Sequence, residues 1–333
     1  MGNHPLIIHV PNSGAYTRHK ALVRQGLWCS SDLDYARLLG NGIHLQHTDL
    51  TGYSHVLASR EGLYAIGLGG FAKISDGQFF GVTVRENAIY CFEALGPIPS
   101  LWPHYGRIVR YDLSKKEIVS AAVVVKGLPN GCHQIDFIGG DLFVCDTYNS
   151  RVLKFNAEFN ACVAYYPWGD IEFQDFTAGY PHVNSLVGYR GVIYLMLHNC
   201  SSHTGRNSQL VQWQPESARL GHELTLAAAG CHNIVFLEDG QAIFCDSDNG
   251  ALTDGRTTIV HIGQMLTRGL SVDSEMIVVG SSLFSKRDAR RTVAGEVYFL
   301  DRQYRELVRF SVPAAATDIR KIDGKDLSLT NSR

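Results

Sequence analysis

Charge is scarce in this chain. Asp, Glu, Lys and Arg make up 19% of its 333 residues, against about 25% in a typical soluble protein, which leaves little to cover the outer faces of many helices. Neither sign dominates, because 30 Lys and Arg stand against 32 Asp and Glu. Without a basic field there is no sequence-independent attraction to phosphate backbones, so nucleic acid is not an expected partner. Long apolar runs are also missing. The longest nearly unbroken one covers 118–125, far short of the ~18–20 residues that span a bilayer, and no membrane partner is expected. The opening MGNHPLIIHVPNSG lacks the basic segment, apolar core and small-residue cleavage site of a secretory signal, which makes a cytoplasmic location the expectation. The eight cysteines include no Cys-x-x-Cys pair, and reduced core thiols fit that location. Walker loops, Gly-x-Ser-x-Gly elbows and zinc ribbons are absent as well, so nucleotide and serine-hydrolase chemistry lose support.

Glycine, by contrast, is abundant, with 33 residues against a norm of about 7%, and it announces many tight turns. The turns recur. Cys132 and Cys231 are 99 residues apart, and Cys145 and Cys245 are 100 apart. GCHQIDFIGGDLFVCDTYNSRVLKF (131–155) lies over GCHNIVFLEDGQAIFCDSDNG (230–250) in its Gly-Cys-His, its two apolar runs, its Cys-Asp and its following Asn. YPHVNSLVGYRGVIYLMLHN (180–199) repeats the pattern halfway between them. A unit of about 50 residues belongs to propellers or solenoids.

Within a unit the apolar stretches are short, rich in Val, Ile, Phe and Tyr, and separated by Gly, Asn or Asp turns, which is strand chemistry. Short strands in such units form sheets too apolar to stand alone, and stacking them radially buries both faces. The expected fold is all-β: a single β-propeller domain over 1–333, most simply of six four-stranded blades, with five or seven as alternatives. Repeats begin near 80, 133, 182, 232 and 268. Residues 1–50 form an N-terminal extension and closing segment. The strand-turn-strand texts at 54–68 and 318–329 are expected to pair in one composite blade that hides two edges.

DLFVCDTYNSRVLKFN (141–156) resembles the strand, Asp-Thr-x-Asn-x-Arg-Val, strand signature of NHL-repeat propellers and their six-bladed relatives. The resemblance implies the ring and is nearly silent on function, since that ring hosts scaffolds, lactonases, condensing enzymes and lyases.

The chemistry is expected where inner strands begin, because those positions converge on the central channel. His133, His182 and His232 occupy them at intervals of 49 and 50 residues. Three neutral imidazoles around one point suit a divalent transition metal, zinc first, with iron, manganese or copper as alternatives, and leave a position open for water or substrate. The competing reading is that each His simply bonds to neighbouring carbonyls across the channel. The arrangement resembles peptidyl-α-hydroxyglycine lyases, six-bladed propellers whose catalytic zinc is held by histidines at Pro-His-Gly-like inner-strand positions. Tyr-Pro-His (180–182) matches best, and Gly-Cys-His at the other two sites departs from the pattern. The resemblance implies a metal-ligand role for the three histidines and nothing about the substrate.

Arg268 stands close to the histidine position of a later unit, where an Arg beside a metal makes most sense with an anionic substrate group between them. Asp136, Asn184 and Asn233 follow the histidines and are candidates for orienting imidazoles or contacting substrate. His198 and His203, in the polar insert LHNCSSHTGRNS (197–208), are candidates for a lid or relay, and Tyr180 and Tyr148 for acid–base phenols. Asp146 and Asp246, at equivalent strand ends, read as turn-binding architecture.

A fainter resemblance, through Glu61-Gly62 and Pro129-Asn130-Gly131, is to gluconolactonase/regucalcin-like propellers, whose ion is held by Glu, Asn and Asp. The leading expectation is a metal-dependent lyase or hydrolase acting on a small polar or anionic molecule. In it Arg268, Asp136 and Tyr180 are catalytic, Asn184, Asn233 and His198 bind substrate, and His133, His182 and His232 hold the metal. The alternatives are a non-catalytic interaction ring using loops such as 97–105 or 284–291, and a gluconolactonase-like hydrolase. The oligomeric state is not legible.

Overall fold

The computed structural model describes residues 6–7, 42–95, 105–171, 173–217, 219–263, 266–283 and 293–330. Most of loop 97–105 and all of 284–291 lie outside them. The described chain forms six antiparallel sheets around a common axis, a six-bladed β-propeller. In the second blade Cys132–Ile138, Asp141–Asp146, Arg151–Phe155 and Cys162–Tyr165 follow one another outward. The third, fourth and fifth blades repeat this from inner strands Val183–Tyr189, Cys231–Phe236 and Arg268–Val272. The first blade starts with Gln78–Arg85 and carries an additional short strand, Leu6–Ile7, parallel to its outermost strand Glu117–Pro129.

The sixth blade is composite. Its inner strand Ala316–Lys321 comes from the end of the chain and pairs with His55–Ser59, which continues outward to Gly62–Gly67 and Gly70–Asp76. Ring closure therefore rests on a pairing between residues more than 250 apart, and it removes the two edges an open ring would expose.

Local sequence makes these sheets. Gly139 and Gly140, at φ +60° and +94°, turn Cys132–Ile138 into Asp141–Asp146, the left-handed pair that two-residue hairpins need to match strand twist. Burial is radial. Six apolar clusters lie between neighbouring blades, one at each interface. Phe137, Leu142 and Leu153 of the second blade, for instance, pack on Phe80, Phe92 and Ile108 of the first. Neither face of a blade could stay in water at about 25 cal/mol per Å² of apolar surface, so no blade is stable alone.

The seven described cysteines form no disulfide with one another. Burial pushes the thiols of Cys132, Cys145 and Cys245 well above their ordinary range, which makes them inert packing groups. Among the described residues no helix is long and apolar enough to cross a membrane.

Candidate functional site in the central channel

In every blade the register between inner and second strand slips at the same level. The slips fall between Phe79 and Val82, Cys132 and Ile135, Val183 and Ser185, His232 and Ile234, Arg268 and Leu270, and Ala316 and Asp318. A bulge bends the strand and re-aims its side chains, and here six bulges ring one channel. Phe80, His133, Asn184, His232, Arg268 and Thr317, one from each blade, line a cavity of about 20 Å³ there. Gln134, Ser185, Asn233 and Asp318 complete its wall.

Four imidazoles form a continuous row at this level. Ring centroids are 5.5 Å apart for His133 and His182, 4.9 Å for His182 and His198, and 5.1 Å for His198 and His232. His198 arrives from the second strand of the third blade, because the hairpin ladder continues past Leu197 and its backbone N–H donates to the His182 carbonyl at 3.1 Å. His182 itself has φ +49°, a left-handed conformation that costs a non-glycine residue about 1–2 kcal/mol and is held by its surroundings.

The outer ring nitrogens fix the proton positions. Nδ1 of His133 lies 2.9 Å from the Gly131 carbonyl and Nδ1 of His232 lies 2.8 Å from the Gly230 carbonyl. A carbonyl only accepts, so both Nδ1 atoms carry the proton and both Nε2 atoms present a lone pair. Tyr180 donates its hydroxyl proton to the Thr147 carbonyl at 2.8 Å and so accepts from His182 Nδ1 at 3.3 Å, which sets His182 the same way. His198 is reversed. Its Nδ1 accepts from the Cys200 N–H at 3.1 Å, so the neutral ring carries its proton on Nε2. Burial, reinforced by Arg268 and the other three histidines, holds the His232 pKa well below the ordinary imidazole value, so this ring is neutral. Its Nε2 is buried with no hydrogen-bond partner.

Several expected residues do other work. Asp136 does not reach the imidazoles. Its carboxylate accepts from Thr83 Oγ1 at 2.9 Å, and from the Thr330 backbone N–H at 3.0 Å and hydroxyl at 2.6 Å. Three residues along a strand is about 10 Å, enough to move it down the channel to where the C-terminal segment crosses. Asn233 is not available to substrate, because Nδ2 donates to Asp318 at 3.1 Å and Oδ1 accepts from the Gly269 N–H at 2.9 Å, stitching three blades together. Tyr180 is fully buried and holds His182 in place instead of reaching the channel as a free phenol. Asn184 does face the cavity. Its Nδ2 donates to the Cys231 carbonyl at 3.0 Å, and its Oδ1 is buried without a partner.

His203 stacks on Phe176 at 5.0 Å at the exposed margin, and Tyr148 packs on Phe173 at 4.2 Å. Asp146 accepts from Asn149 and Arg151, and Asp246 from Asn249. Gln134 and Asp318 were missed. The only sequence signal for Gln134 was its place next to His133, and Asp318 read as an ordinary strand residue. Among the described residues, no group of three or more His, Cys, Asp or Glu side chains is already gathered so as to hold an ion.

No family model matches this chain, and no curated protein does. Solved structures do. The nidogen/laminin complex contains a chain with a TM-score of 0.58 and 12% identity, the match covering 82% of this chain and 99% of that one. A catalytically inactive virginiamycin B lyase from Staphylococcus aureus, solved with quinupristin, gives a TM-score of 0.45 and 12% identity over 82% of this chain and 89% of that one. The WD40 propeller domain of Doa1 gives 0.42 and 11%, over 83% and 75%. At these identities the likeness establishes the propeller fold alone.

Proposed function

We propose that this protein is a propeller enzyme whose channel site takes one divalent transition ion, zinc before iron, manganese or copper, on Nε2 of His133, His182 and His232, and acts on a small polar or anionic molecule. The supporting observation is the shared tautomer. All three rings have Nδ1 committed to an outer acceptor, which is how a protein presets imidazole ligands, and the buried Nε2 of His232 has no protein partner. An ion bound there would polarise a carbonyl or acidify a water, the chemistry of lyases and hydrolases that use no side-chain nucleophile.

The residues of the chain divide the remaining work. Arg268, on the cavity wall, binds an anionic substrate group. His198, protonated on Nε2, is set to donate rather than to ligate. Tyr180 positions His182. Protein purified without chelator should carry near one equivalent of transition metal by elemental analysis. His182→Ala should lose the metal while its circular dichroism and melting temperature stay close to wild type. Wild-type protein that neither retains nor rebinds stoichiometric zinc, or a variant that keeps it, overturns the proposal.

The absence of a pre-gathered donor set among the described residues favours one other reading, in which the same imidazoles work without an ion. His198 would then serve as acid and neutral His232 as base, 5.1 Å apart by ring centroid. Activity that survives exhaustive chelation but is lost in His198→Gln would select it.

A further inference from the structure

The first residue beyond the second strand carries a small hydroxyl in two blades. Thr147 follows Asp141–Asp146 in the second blade, and Ser247 follows Ala242–Asp246 in the fourth. Both are buried, and both bond toward the next blade. Thr147 Oγ1 donates to the Val183 carbonyl at 2.6 Å, and Ser247 Oγ donates to the Thr267 carbonyl at 2.6 Å. In the third blade the same position is His198 itself.

Ser247 has one hydroxyl proton, and the Thr267 carbonyl takes it, because a carbonyl only accepts. The oxygen is left to face His232 Nδ1 at 2.9 Å as an acceptor. The Gly230 carbonyl reaches the same nitrogen at 2.8 Å, so two separate contacts demand the proton on Nδ1 and leave the Nε2 lone pair for the channel. Thr267 is fixed in turn. Its Oγ1 shares a proton between the Asp246 and Ala251 carbonyls at 2.9 and 3.1 Å, and the preceding Leu266 N–H donates to the Ser247 carbonyl at 2.6 Å. The residue after Thr267 is Arg268, on the cavity wall. Ser247 therefore ties the imidazole of the fourth blade to the strand that delivers the guanidinium of the fifth. Gly230 makes no such tie, since it precedes His232 by two residues in the same blade.

We infer that Ser247 is the positioning residue of His232, holding its ring in the Nδ1–H tautomer and aiming Nε2 at the channel from a support shared with Arg268. This deepens the channel-site reading above, and it rests on that reading only for the effect on the ion.

NMR of the full chain, with isotope-labelled histidine ring nitrogens, tests it without any ion bound. Wild type should show a protected ring Nδ1 proton, assigned by its disappearance in His232→Gln. In Ser247→Ala that proton should move upfield and exchange with water at least about tenfold faster, the effect of losing one buried hydrogen bond. Ser247→Thr restores the hydroxyl on a side chain that the second blade already seats at this corner. It should keep the wild-type shift, with exchange within about threefold. Should Ser247→Ala fail to fold, Ser247→Cys, which keeps the volume but accepts weakly, is measured in its place and the same change is expected. In a competition titration Ser247→Ala should weaken zinc binding at least about tenfold, as loss of an outer partner of a ligating histidine does. A wild-type ring protonated on Nε2, a folded variant with an unchanged ring signal, or one that binds zinc as wild type does each overturn the inference. Wild type that takes no zinc but shows the ring changes sinks the ion and leaves Ser247 its role, and stoichiometric zinc with an indifferent Ser247→Ala does the reverse.

Discussion

Asp318 and Arg320 pair at 2.6 Å with side chains only 2% and 1% exposed. Burial pushes the Asp318 pKa up to about 6 even though Arg320 pulls it down. Its carboxylate also accepts from the Val82 N–H at 3.0 Å and from Asn233, so one residue of the sixth blade holds the first and the fourth. Removing one partner of a buried pair strands the other charge, and Arg320→Met should cost about 3–5 kcal/mol in urea unfolding. The double variant Asp318→Asn with Arg320→Met should recover part of that loss. A single variant within 1 kcal/mol of wild type would refute this account.

His55 carries a pH dependence. It is 1% exposed, and burial holds its pKa down at about 4 from the ordinary 6.5, against the pull of Asp326 and Asp273. Because the unfolded chain binds the proton more tightly, the contribution of His55 is complete above pH 6.5 and lost as pH falls through 4, about 3 kcal/mol in all. Asp318 runs the other way, with a contribution complete below pH 3.8 and lost as pH rises through 6. His55→Gln should therefore flatten the acid loss of stability between pH 6.5 and 4 in a series of denaturant melts. An unchanged slope would remove His55 from the account.

Among the elements, the bulged inner strand is the unit that builds the site. Its close packing is visible at Gly81, where an added Cβ would lie 2.4 Å from the His133 carbonyl oxygen and 2.7 Å from the Ile135 nitrogen. Both are backbone atoms of the adjoining inner strand, so no side chain can swing away. Gly81→Ala should displace the strand that carries His133 and lower stability by more than about 2 kcal/mol, measured by thermal and urea unfolding together. A variant of native stability would show that the two strands tolerate separation. The turn after the second strand follows the same logic, since Asp146, bound by Asn149 and Arg151, clasps the Asp-Thr-x-Asn-x-Arg text into a fixed corner.

At the level of the molecule, the C-terminal segment both closes the ring and ties inner strands of other blades together. Ala316–Lys321 supplies the sixth inner strand. Beyond it, the Asp326 carboxylate accepts from Ser271 Oγ and the Val272 N–H, and Thr330 reaches Asp136. A chain truncated before Ala316 would expose the His55–Ser59 edge and the channel interior together. It should show no cooperative unfolding transition by calorimetry, and a truncated chain that melts near the wild-type temperature would overturn this view of closure.

The repeat spacing alone determined that histidines would recur on inner strands, because a 50-residue period returns each register position to the same height in a ring. Turn glycines and β-branched runs determined the strands, and the two chain ends read as parts of one blade, although the C-terminal end supplies one strand there and not the two read at 318–329. What the sequence could not carry was direction. Neighbouring bulge residues both line the cavity, yet Gln134 and Asn184 keep unmet polar atoms there while the Asn233 amide is spent as a brace between blades. His198 joins the row only because strand pairing lays the end of its hairpin beside His182, and Asp136 leaves the site because a few residues of extended chain carry it too far down. Period and composition are properties of the chain, whereas convergence on an axis exists only once six sheets have closed around it.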